Sequence, residues 1–115
     1  TGGPSGGLVF ALGIIEKLTP DDLISSRNIA GTGTITADGQ VGPIGGIIEK
    51  IIGARRAGVS IFLTPTSNCQ DIKSIDQAAK GEGVMKIVPV ATLQQAVDVL
   101  KLPTGATYPS CLASS

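Results

Sequence analysis

The sequence predicts an α+β domain, helices packed on a mixed α/β sheet, and three observations predict it. Segments of helical period alternate with short, wholly apolar runs, the pattern of strands buried under helices. Asp38-Gly39 stands between two strand-like stretches and marks a hairpin, so the sheet is not purely parallel. The chain has 115 residues, 42% of them apolar, which suffices for one domain and not for two.

Taken in chain order, residues 8–15 (Leu-Val-Phe-Ala-Leu-Gly-Ile-Ile) are apolar in every direction, and Glu16 and Lys17 bring charge before Pro20. This predicts a first helix, buried on most sides, running from near Ser5 to Lys17 or Leu18. Residues 28–36 are rich in Thr and Ile, and residues 40–44 supply a return arm after Asp38-Gly39: a hairpin. Residues 46–57 have helical periodicity, with Gly58 where a C-terminal glycine cap belongs. Residues 59–63, closed by Pro65, read as a buried strand running parallel to another. A helix over 71–80, broken by residues 81–83, precedes a strand over 85–90. Leu93, Ala96, Val97 and Leu100 then fall at helical spacing behind Thr92 as N-cap. The folded unit is therefore 1–102, and 103–115 is a tail of small, polar and proline residues. The apolar first helix calls for a covering sheet, yet no strand precedes it, and the chain opens on Thr-Gly-Gly-Pro-Ser without Met. Both features predict an upstream continuation and a domain truncated at its N-terminus.

Composition removes several functions. Nine basic and nine acidic residues give a net charge of zero, so there is no basic footprint for nucleic acid. One Tyr, two Phe and no Trp leave few platforms for stacking bases. The absence of histidine excludes a Ser-His-Asp triad within the chain and removes the commonest zinc ligand. The longest charge-free run, residues 1–15, is shorter than the ~20 apolar residues of a membrane helix. Lys50 lies between Glu49 and Ile51, so no Walker phosphate loop is present, and Asp21-Asp22 reads as a solvated loop rather than a metal pair. Neither metal nor cofactor is called for. Cys69 and Cys111 fit a disulfide tying down the tail or, equally, two buried thiols. A bridge implies an oxidising compartment.

Two residues could carry chemistry. Ser5 stands among Gly2, Gly3, Gly6 and Gly7 at the start of an apolar helix, where free N–H groups and the helix dipole favour an oxyanion. As a plain alternative, Ser5 is only an N-cap. Ile47, Lys50, Ile51 and Ala54 stand at i, i+3, i+4 and i+7, so Lys50 projects from the apolar stripe of its helix. An ammonium held there is penalised and more easily becomes a neutral amine that takes a proton; otherwise the stem packs and the charge reaches water. Serine with a desolvated lysine replaces Ser-His in some nucleophilic enzymes, and a chain without histidine can use that pair.

At this point the sequence resembles a known family. Gly3-Pro4-Ser5-Gly6-Gly7 resembles the nucleophile motif of the Lon protease proteolytic domain. Residues 42–50 (Gly-Pro-Ile-Gly-Gly-Ile-Ile-Glu-Lys), followed by Ala54-Arg55-Arg56-Ala57-Gly58, resemble its lysine motif. The likeness continues through Thr32-Gly33, residues 62–65 and Asn68. Residues 11–20 and the early Cys69 look most like the membrane-anchored bacterial Lon-like proteases that carry a PDZ domain and no ATPase module. The resemblance implies a fold of the ribosomal protein S5 domain 2 type and a serine endopeptidase acting on unfolded or flexible polypeptides bound in extended form. It implies Ser5 as nucleophile, Lys50 as general base, Thr32 as the hydroxyl that orients the lysine, and the backbone N–H groups of Ser5 and Gly6 as oxyanion hole. It further implies a homo-oligomeric ring, often a hexamer, anchored to the membrane through a segment outside this chain with the protease domain extracytoplasmic, or cytoplasmic if the parent is an ATP-dependent Lon. Gly2 departs from an acidic residue common in the family three positions before the serine. Ile48 departs from a common lysine, which leaves Lys50 as the base. The competing reading is a non-catalytic module of the same fold, used for assembly or partner binding.

Overall fold

The computed structural model describes residues 6–18, 28–74, 85–103 and 105–111. Helix α1 (Gly7–Leu18) opens the described chain. Strands β1 (Ile29–Gly31) and β2 (Thr34–Ile35) follow, then β3 (Val41–Gly42), helix α2 (Ile47–Arg56) and strand β4 (Ile61–Pro65). A 3-10 turn over Thr66–Asn68 leads into helix α3 (Cys69–Lys73); β5 (Lys86–Val90) and α4 (Leu93–Leu100) complete it.

Strands β1, β4 and β5 form a parallel sheet with β4 in the middle, Ile29 opposite Ile61 and Phe62 opposite Ile87. All five residues of β4 are buried, as a central parallel strand covered on both faces requires. Its side chains alternate between two cores. Ile61 and Leu63 join Leu8, Leu12, Val88, Val90 and the apolar face of α4. Phe62 joins Ile47, Ile51, Ile72, Ile87 and Cys111. The sheet is thus a middle layer, with α1 and α4 on one face and α2 and α3 on the other. Pro89, which cannot donate to a ladder, sits in β5 at an edge of the described sheet.

Three expectations change. The first hairpin arm, read as continuous over 28–36, is two strands: β1 pairs in parallel with β4, whereas β2 pairs antiparallel with β3. The break is at Thr32-Gly33. Gly33 has φ +147°, and a Cβ there would lie 2.9 Å from Val41 Cγ1 and 3.3 Å from Pro65 Cγ, so only glycine lets the chain leave the sheet at that point. Next, α1 is amphipathic rather than buried on most sides. Leu8 and Leu12, four residues apart, face the core, while Val9, Phe10 and Ile14 are exposed, Phe10 by 73%. Finally, the helix expected over 71–80 begins earlier, at Cys69, behind the 3-10 turn, and ends at Lys73. Asp21, Asp22, residues 75–80, the break at 81–83 and the end of the tail lie outside the described residues.

The final helix forms as its sequence predicts. Thr92 Oγ1 accepts the Gln95 N–H at 3.1 Å, and Gln95 Oε1 accepts the Ala91 N–H at 2.7 Å, so the two side chains satisfy backbone donors in the manner of a capping box. Thr92→Ala is expected to cost about 1 kcal/mol in urea unfolding. An unchanged midpoint would show that the cap contributes nothing.

Candidate active site

The lysine helix is fixed at both ends by its own residues. Gly46, at φ +71°, turns the chain into α2, and its carbonyl accepts the Lys50 N–H at 3.2 Å. At the other end Gly58 has φ +78°; its N–H donates to the Arg55 carbonyl and that of Val59 to the Ala54 carbonyl, both at 3.1 Å. This is the Schellman closure that a glycine at that position allows. Glu49 in the first turn and Arg55 and Arg56 in the last complement the helix dipole.

Ile47, Ile51 and Ala54 are the buried positions of α2. Lys50 lies roughly 60° around the helix from Ile47 at 100° per residue, at the rim of that stripe. Its side chain is exposed, not enclosed. It nevertheless faces a particular place: Lys50, Gly53, Gly31, Thr32, Phe62 and Gly6 line one cleft of about 370 Å³. Small residues of α2 and β1 open this cleft, Phe62 gives it an apolar wall, and Lys50 supplies an amine.

The resemblance singled out Thr32, Gly6 and Lys50 from three separate segments, and all three lie on this cleft. Thr32 is 4% exposed and held by its N–H bond to the Leu63 carbonyl at 3.0 Å, directly beyond the end of β1. Gly6 is placed by the start of α1, which is tied down where the Leu8 N–H meets the Gly33 carbonyl at 3.1 Å. Gly7 permits that approach, since a Cβ there would lie 3.0 Å from Ile35 Cγ2. Ser5 lies outside the described residues. Among the described residues no cluster of acidic or cysteine side chains could hold a metal ion, and no helix is long and apolar enough to cross a membrane.

Cys69 and Cys111 are joined, with Cα atoms 5.2 Å apart. Cys111 is buried among Phe62, Ile72 and Ile87, so part of the tail is core. Sequence reasoning gave no role to Gly53 or Phe62. The signal for Gly53 was the run of small residues, Gly53, Ala54 and Ala57, on the helix that bears the lysine; Phe62 was marked by its place in a buried strand and by the family likeness over residues 62–65.

Comparison with known proteins bears on the same segments. The family model of the Lon protease (S16) C-terminal proteolytic domain matches residues 1–102. A Lon protease of Mesomycoplasma hyopneumoniae is 41% identical over 98 residues, covering 85% of this chain and 11% of that protein. A Lon protease of Rhizobium meliloti is 35% identical over 119 residues, covering 97% of this chain and 14% of that protein. The chain thus spans a small part of the length of the curated relatives it matches. Because the match takes in α1, β1, α2 and every strand that builds the cleft, the likeness extends well beyond two short motifs: the chain belongs to the family of Lon protease C-terminal proteolytic domains.

Proposed function

We propose that this chain hydrolyses peptide bonds as a serine endopeptidase, with Ser5 as nucleophile and Lys50 as general base. The observation that carries the proposal is the convergence of Lys50, Thr32 and Gly6 on one cleft beside the start of α1. In this reading the neutral amine of Lys50 takes the Ser5 hydroxyl proton as the oxygen attacks the scissile carbonyl. The N–H groups of Ser5 and Gly6, at the positive end of α1, hold the oxyanion. The lysine ammonium then gives its proton to the leaving amine, and water, deprotonated by the same lysine, releases the acyl group and regenerates the serine. The buried Thr32 hydroxyl orients the amine. A bound polypeptide covers the cleft, so Lys50, exposed in the free chain, loses water when substrate arrives.

The substrate in this proposal is an unfolded or flexible polypeptide in extended form. Residues 1–102 carry the hydrolytic domain and 103–115 a tail stapled by Cys111. Assembly as a homo-oligomeric ring, a hexamer in the form the resemblance implies, belongs to the same reading. So does anchoring to a bacterial membrane by a segment outside these residues. The Cys69–Cys111 bond favours an extracytoplasmic, oxidising setting. Exposure of Lys50 is also what a non-catalytic module would display. Treatment of the full-length protein with a serine-directed acylating reagent separates the two. The proposal expects one adduct, on Ser5, formed at least about 100-fold more slowly in Lys50→Met. Acylation of Ser5 at equal rates in both proteins, or none at all, would leave the binding module.

A further inference from the structure

We propose that Asn68 is a positioning residue for Lys50, acting through the backbone that leads into α2; the inference rests on the role of Lys50 proposed above. Asn68 is 2% exposed and lies outside the cleft. Its amide grips a single residue 24 positions away on both sides: Oδ1 accepts the Ile44 N–H at 3.0 Å, and Nδ2 donates to the Ile44 carbonyl at 2.9 Å. A side chain is doing here what a neighbouring strand does in a sheet. Nδ2 also donates to Asp71 Oδ2 at 3.2 Å. A carboxylate only accepts, so Asp71 fixes which end of the amide carries the donors.

Ile44 stands two residues before Gly46, whose left-handed turn starts α2 and whose carbonyl receives the Lys50 N–H. The N-cap of α2 has no side-chain hydrogen bond, so the first turn of the helix takes its direction from the backbone of residues 44–46. Asn68 is in turn held from both directions, by the turn after β4 and by the bond from Cys69 to Cys111. The opposite end of α2 has a separate asparagine, Asn28, whose Nδ2 donates to the Gly58 carbonyl at 3.1 Å. Release of Asn68 frees the end that bears Lys50; release of Asn28 frees the other. A displacement of about 1 Å at a reacting group costs on the order of 100-fold in rate.

The test compares Asn68→Ala with Asn28→Ala in the full-length protein, reading kcat and KM for a peptide substrate and hydrogen exchange across residues 43–50. Asn68→Ala is expected to lower kcat by about 10- to 100-fold with KM within about 3-fold, and to speed exchange at 46–50. Asn28→Ala is expected to keep kcat within about 3-fold while exchange quickens around 57–60. Asn68→Asp keeps the size of the side chain and the acceptor for the Ile44 N–H but loses the donor, so it serves where the alanine variant does not fold. It should show the same kcat loss. Unchanged kcat in Asn68→Asp, with Lys50→Met inactive, overturns the positioning role and leaves the lysine mechanism standing. Unchanged exchange at 46–50 overturns it as well. Turnover retained by Lys50→Met overturns the lysine mechanism, and this inference with it.

Discussion

In the full-length protein, Lys50→Met is expected to lose peptide hydrolysis by at least about 10³-fold while unfolding at the same denaturant concentration as the parent. The separation of the two effects follows from position. Lys50 sits at the rim of α2 and is exposed, whereas Ile47, Ile51 and Ala54 carry the packing of that helix. An exposed substitution away from caps and cores changes stability by only about 0.5 kcal/mol, and methionine is nearly as good a helix former as lysine. Lys50→Arg should be as inactive as Lys50→Met, because a guanidinium stays protonated and cannot act as a base. That second variant matters: a lysine that merely attracted an acidic substrate would be replaced well by arginine. Adding Ser5→Ala to Lys50→Met should reduce the rate no further, since groups that act in one proton transfer are lost as a unit. Arginine activity within tenfold of the parent would point to an electrostatic contact and take the proton transfer away from Lys50.

Where one residue's type decided the local conformation, the sequence was readable. Thr92 announced a cap, Gly58 a helix end and Asp38-Gly39 a turn, and each occupies the place expected of it. Residues 61–63 were apolar on both faces, which only a strand covered on both sides can use. What escaped was settled by partners distant in sequence. Residues 28–36 interleave Thr and Ile with Gly31 and Gly33, and although Gly33 could have hinted at a break, only distant partners decide that Ile29 pairs with Ile61 whereas Ile35 pairs with Val41. Likewise the period of α2 brought Lys50 near its stripe, but a rotation of one position separates a residue enclosed by the core from one at its rim. The cleft was partly legible: its amine and threonine came from motif likeness, while its shape comes from glycines and alanines, whose meaning is the space they leave. Asn68 was marked only by motif likeness, with no role attached. An asparagine after Thr-Ser reads as a turn residue, and its grip on Ile44 exists only once β4 and α2 are packed.

The second large effect concerns stability. Removing the cross-link by Cys69→Ala with Cys111→Ala is expected to lower the unfolding free energy by about 4 kcal/mol, the chain entropy restored to the unfolded state when a loop of this length is opened. The two cysteines are separated by 42 positions, and that loop contains α3 and β5 as well as α4. Against a typical total of about 5–15 kcal/mol, the loss is a large fraction. Alanine retains a small apolar group where Cys111 packs against Phe62, Ile72 and Ile87, so the figure reports mainly the lost link. Serine at 111 should cost more, because it buries a hydroxyl in an apolar site. Unfolding need not begin everywhere at once: the disulfide at Cys111 and the packing of Tyr108 hold residues 105–111, so with the bridge removed their amides should exchange faster before those of β4 do. The same release loosens the residue next to Asn68, and a fall in kcat that accompanies the loss of the bridge is the expected sign that tail and lysine are mechanically joined. A double variant within about 1 kcal/mol of the parent would mean that the bridge adds little to the fold, and that packing of residue 111 near Phe62, Ile72 and Ile87 and of Tyr108 against the opposite core suffices to hold the tail.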